Sequence, residues 1–151
     1  MKSFSSIEEI LDFAIKEEEK AAEFYRDLAE RVKNNAVSQI FIDFVKEEEK
    51  HKTKLLEVRS GDTSLLSTER VADLKISDYL VGYAPTANMT TQNAFLLAMK
   101  KEKAAFRLYT NLAAAVDNGA FKELLLSLAQ EEAKHKLRFE IEYDDVFMDE
   151  N

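Results

Sequence analysis

The feature that most constrains this chain is a repeat. The segment AIKEEEKAAEFYRDLA, Ala14 to Ala29, lies over AMKKEKAAFRLYTNLA, Ala98 to Ala113, at an offset of 84 residues. Ala14, Lys16, Glu18, Ala21, Tyr25, Leu28 and Ala29 recur as Ala98, Lys100, Glu102, Ala105, Tyr109, Leu112 and Ala113. Glu47, Glu48, Lys50, His51 and Lys52 recur at the same offset as Glu131, Glu132, Lys134, His135 and Lys136. Two separated segments sharing one offset imply that a unit containing both was duplicated. Two helical hairpins packed face to face satisfy this, whereas a solenoid needs three or more shorter repeats. With 3 Gly and 1 Pro in 151 residues, the chain lacks the turn formers of a sandwich or barrel. An all-α chain forming a single domain over 1–151 is expected.

Breakers place four helices. Ser6 with Glu9 forms a capping box before the first, and Asn34-Asn35 separates it from the second. Arg59-Ser60-Gly61 closes the second, and Thr90 or Thr91 caps the third. Asp117-Asn118-Gly119 precedes a fourth helix expected from about Ala120 to about Tyr143. Short loops make the first and second helices antiparallel neighbours, and likewise the third and fourth. The connection over 60–89 carries Gly61-Asp62, Gly82 and Ala84-Pro85 around a short helical candidate at 75–81. A connection of that length can cross over from one end of a bundle to the other.

Each helix has an apolar stripe at three- and four-residue steps, the spacing that lines up one face. The first runs through Leu11, Ala14, Glu18, Ala21, Tyr25 and Leu28, which puts Glu18 inside while Glu17 and Glu19 point elsewhere. The second runs through Phe41, Phe44, Glu48, His51 and Leu55; the third through Phe95, Ala98, Glu102, Ala105, Tyr109 and Leu112. The fourth runs through Phe121, Leu125, Leu128, Glu132, His135 and Phe139. Four Glu and two His therefore project into one core, each near the middle of its helix. With 19 Glu in the chain an E-x-x-H is cheap by chance. A carboxylate on the inner face is not, because burying four together costs too much unless protons or cations neutralise them. Glu on two helices with Glu-x-x-His on the other two is the ligand set of carboxylate-bridged di-iron bundles. Tyr25 and Tyr109 lie two turns beyond Glu18 and Glu102; they either fill the core or orient ligand carboxylates on the facing helix.

The absence of Cys excludes disulfides, thiolate metal sites and a cysteine nucleophile. A formal net charge of -8 with no long basic cluster argues against nucleic acid. No apolar run approaches a membrane span, and Met1 to Ile7 lacks a signal-peptide core, so a cytoplasmic protein is expected. A homodimer is expected because two-fold dimers are the commonest assembly.

On E-x-x-A-x-x-x-Y twice and E-E-x-x-H twice, over about residues 7–143, the chain resembles rubrerythrin-type, ferritin-like proteins. DLKISDYLV, Asp73 to Val81, is similar to the crossover of small stand-alone members. The resemblance implies a ferritin-like four-helix bundle holding two iron ions that react with hydrogen peroxide or dioxygen. It implies Glu18, Glu48, His51, Glu102, Glu132 and His135 as the ligands. Full-length members receive electrons through a four-cysteine rubredoxin domain; this chain has no Cys, so an external donor such as a rubredoxin-like protein is expected. The typical member also has a further Glu three residues after its third-helix ligand, where Ala105 stands here. The remaining set is closer to bacterioferritin-like ferroxidase sites, which keeps iron oxidation or storage as an alternative function. Manganese and zinc suit the same ligands. A metal-free helical interaction module is the third reading.

Overall fold

The computed structural model describes residues 6–61, 89–116 and 119–148. Four helices account for nearly all of them: α1 (Ile7–Arg31), α2 (Asn35–Ser60), α3 (Thr91–Ala114) and α4 (Gly119–Met148). The expected crossover over 62–88, with its helix at 75–81, and the turn at 117–118 lie outside the described residues. Among the described residues there is no strand, and no helix is long and apolar enough to cross a membrane.

Side chains start the helices by satisfying amides that have no intrahelical partner. The Glu9 amide donates to Ser6 Oγ at 3.2 Å, and Ala36 and Val37 amides donate to Asn34 Oδ1 at 2.9 and 3.2 Å. Thr90, rather than Thr91, caps α3 by accepting from the Asn93 amide at 3.1 Å. Gly61 ends α2 at φ −82° and ψ −176°, extended backbone open to other residues, so the left-handed conformation of glycine is not used. The fourth helix is longer than the breakers indicate, reaching Met148 instead of stopping near Tyr143. No Gly or Pro follows Tyr143 to stop it, and Tyr143 accepts from Gln92 Nε2 at 2.6 Å, tying the last turns of α4 to the start of α3.

Ion pairs record the register of the first hairpin. Asp12 meets Arg59, Glu19 meets Lys52 and Glu49 meets Arg26, at 3.0, 2.9 and 3.2 Å, so α1 and α2 run antiparallel. Exposed pairs of this kind contribute under about 1 kcal/mol each; they mark alignment more than they stabilise it. Across the hairpins, Tyr25 bonds Glu102 and Tyr109 bonds Glu18, which makes α1 and α3 antiparallel too. Consequently α3 begins at the opposite end of the bundle from where α2 stops.

Stability comes from two apolar clusters. One gathers Ile10, Leu11, Leu55, Leu112, Leu125 and Leu128, all fully buried. The other gathers Tyr25, Leu28, Phe41, Phe44, Phe95 and Phe139, also fully buried. Each such side chain is worth about 1.5–3 kcal/mol of burial. Between the clusters lies a layer that is not apolar.

Candidate metal centre

That layer consists of Glu18 from α1, Glu48 and His51 from α2, Glu102 from α3, and Glu132 and His135 from α4. Each is at most 7% exposed. The spacing of the inner stripes puts one carboxylate per helix at this height, and the three-residue step from Glu48 to His51, and from Glu132 to His135, adds an imidazole on the same face.

The ligand atoms fall into two overlapping quartets, each with all its atoms within 4.8 Å of one another. One quartet is Glu18, Glu48, His51 and Glu132; the other is Glu48, Glu102, Glu132 and His135. Glu48 and Glu132 are shared. His51 Nδ1 lies 2.7 Å from Glu132 Oε1 and 3.6 Å from Glu18 and Glu48. His135 Nδ1 lies 3.3 Å from Glu48 and 3.6 Å from Glu102. The two rings stack nearly parallel, 5.4 Å apart. Glu131 also approaches both histidines within 4.8 Å, from a half-buried position.

Despite these short distances, Glu18 Oε2, Glu48 Oε1, His51 Nδ1, Glu102 Oε2, Glu132 Oε1 and His135 Nδ1 have no hydrogen-bond partner. The atoms are close but not aligned for donation to one another. Each quartet gathers one such atom per residue within 4.8 Å, as a ligand set does, and a buried polar atom left without a partner costs about 1–3 kcal/mol. Two divalent ions would balance four carboxylates and satisfy all six atoms, so the residues present fit a pair of metal ions.

Without cations the cluster must hold protons. Burial, then the neighbouring Glu48, pushes the Glu18 carboxyl well above the usual range; burial, then Glu102 and Glu48, does the same to Glu132. Glu48 goes the other way. Burial alone would raise it, but the close approach of Glu18, His135 and His51, which carry the protons, outweighs that and holds it below the usual range. Burial would lower the imidazoles, yet Glu18 and Glu48 raise His51 to about 10, and Glu102 and Glu48 raise His135 to about 9.

Tyr25 donates to Glu102 Oε1 and Tyr109 donates to Glu18 Oε1, each reaching from one hairpin into the other. Burial, and then the adjacent carboxylates, push both phenols well above their usual range, which keeps them protonated as donors.

Two stripe positions depart from expectation. Ala21 and Ala105 are half-buried, because a cavity of about 20 Å³ opens beside them against the carboxylates. Glu17, expected to point away, is only 14% exposed and lines that cavity with Lys101. One step along a helix turns a side chain about 100°, which from the inner face of α1 aims it along α3 instead of into solvent. Sequence reasoning missed Glu17 and Lys101; their equivalence at the 84-residue offset was the available signal.

A buried carboxylate and histidine layer across a four-helix bundle of two hairpins defines the ferritin-like class. The chain belongs to the rubrerythrin family, whose model matches residues 9–76 and 93–151. It is similar to a solved hypothetical protein from Pyrococcus furiosus at 28% identity, covering 92% of this chain and 89% of that one with a TM-score of 0.68. A putative ferritin-like diiron-carboxylate protein from Thermotoga maritima shares the fold at 20% identity and a TM-score of 0.68, over 92% of this chain and 95% of its own. No curated protein matches the chain.

Proposed function

We propose that this chain is a di-iron oxidoreductase that reduces hydrogen peroxide or dioxygen with electrons from an external donor such as a rubredoxin-like protein. The observation carrying this reading is the pair of quartets that share Glu48 and Glu132. Glu18 and His51 would complete one iron site, Glu102 and His135 the other, with the shared carboxylates between them. When bound, two adjacent irons would supply the two electrons that reduce hydrogen peroxide to water, or dioxygen to peroxide.

The chain's own residues set the conditions. Tyr25 and Tyr109 orient Glu102 and Glu18 and leave one oxygen of each without a partner. Aromatic and aliphatic clusters close the layer from above and below, which strengthens every electrostatic interaction inside it. The water-sized cavity leaves room for a small oxidant on the carboxylate side. Support for the peroxide or dioxygen substrate comes from the rubrerythrin family.

Anaerobic iron loading followed by metal analysis should give about two irons per chain. The loaded protein, given a reductant, should then consume peroxide or dioxygen faster than the same iron free in solution. Two bound irons without such turnover would sink the enzymatic reading and leave iron oxidation or storage. Size-exclusion mass separates these further: a two-fold dimer accompanies the enzyme, whereas storage needs a large shell.

A further inference from the structure

The cavity beside the carboxylates has a direction. Ala21 and Ala105, equivalent under the repeat, both line it and both stay half-buried, so it opens between α1 and α3. Its floor is Glu18, Glu48, Glu102 and Glu132, each at most 3% exposed and each with an oxygen lacking a hydrogen-bond partner. Its rim includes Glu17 and Lys101, again repeat equivalents but opposite in charge. Glu17 is answered by Lys20 at 3.3 Å, while Lys101 Nζ stands 5.8 Å from the centre of the Phe24 ring. Neither histidine lines the cavity.

We propose that the gap between α1 and α3 is the port by which small ligands reach the metal centre, and that Lys101 at its rim makes the port selective for small anions. This rests on the two-ion reading above. In the metal-free protein the floor offers an anion no metal ion to bind. Once cations balance that floor, the ammonium at the rim is the attraction that remains, and Glu17 opposes it. A cavity of about 20 Å³ holds roughly one water, so an anion of two or three heavy atoms would enter end-on.

Azide and the cobalt(II)-loaded protein give the test, because the visible spectrum of cobalt responds to an added ligand. Bound cobalt is counted first in every variant. The loaded wild type should titrate saturably with azide. Lys101→Met should weaken azide binding about fivefold, and Glu17→Gln should tighten it by a similar factor, as a partly screened charge nearby predicts. Ala105→Leu should fill the gap and remove azide binding while cobalt still loads. Lys122→Met, an exposed charge near the start of α4, should change nothing. If Ala105→Leu fails to load, the opposite shifts of the two rim variants decide. Wild-type affinity in the Lys101 and Ala105 variants overturns the port alone, as does a loaded wild type blind to azide. A wild type that binds no cobalt overturns the metal centre and this inference with it.

Discussion

At one end of the bundle Phe41, Phe44, Phe95 and Phe139 share a cluster with Tyr25; at the other, the positions 84 residues away, Leu125, Leu128, Leu11 and Leu55, share a cluster with Tyr109. Every Phe of one end answers to a Leu of the other. The layer between them does not diverge in this way: Glu18 answers to Glu102, Glu48 to Glu132 and His51 to His135. Packing positions tolerate exchange as long as volume and apolarity are kept. Ligand-type positions do not, since a buried carboxylate is acceptable only where protons or cations neutralise it. The aromatic end nevertheless reaches into the charged layer. Phe44 meets the His135 ring edge-on at 4.9 Å and stacks on Phe139 at 4.1 Å, whereas the position equivalent to Phe44 beside His51's half is Leu128.

Breaking the shared part of the centre should have the largest effect. Glu48→Ala strikes both quartets, so metal analysis should find neither ion. The metal-dependent rise in melting temperature, corresponding to roughly 4 kcal/mol at a thousandfold excess of metal over Kd, should vanish. Glu18→Ala and Glu102→Ala each strike one quartet, and the ion count tells whether the leucine half or the phenylalanine half keeps its metal alone. Glu19→Ala, an exposed residue paired with Lys52, is the control. A loss as large there would show the face assignment to be wrong.

Next comes pH. His51 and His135 are held near 10 and 9 when folded, against 6.5 for a free imidazole. Glu18 and Glu132 are raised above 4.5. In both kinds of group the folded metal-free state binds more protons than the unfolded one, so its stability falls as pH rises. The histidine contribution is complete below about 6.5 and is lost as pH passes through 9 to 10. Melting curves of metal-free protein across that window should shift downward. Metal displaces those protons, so the gain on metal loading should widen with pH. A metal-free melting temperature that climbed over the same window would contradict these protonation states.

Cutting the two ends to the same residue sharpens the packing contrast. Phe139→Ala should cost about 3–5 kcal/mol and Leu55→Ala about 2–5, with the phenylalanine variant worse by about 1, because Phe139 touches four other rings. Denaturant midpoints measure both. Equal losses would mean that the aromatic contacts add nothing beyond area. The smallest effect belongs to Arg138, whose guanidinium lies 5.1 Å over Phe44. Arg138→Met should cost about 0.5–1 kcal/mol, and Lys54→Met, its equivalent at the leucine end, close to nothing.

The helical register, the duplication and the inner position of Glu18, Glu48, His51, Glu102, Glu132 and His135 are all legible in the sequence, because hydrophobic periodicity fixes the angle of a side chain about its own helix axis. Periodicity carries no information about distances across helices. It could not say that Glu48 and Glu132 belong to both quartets, nor choose for Tyr25 and Tyr109 between filling the core and bonding a carboxylate of the other hairpin. It left Ala21 and Ala105 as ordinary core and Glu17 as ordinary surface. Only the separation of α1 from α3 makes those alanines the wall of a cavity and turns Glu17 and Lys101 toward its rim. The sequence determined which residues face inward; the packing of one hairpin against the other decided which of them meet, because a contact between helices depends on axis spacing and angle that no single helix encodes.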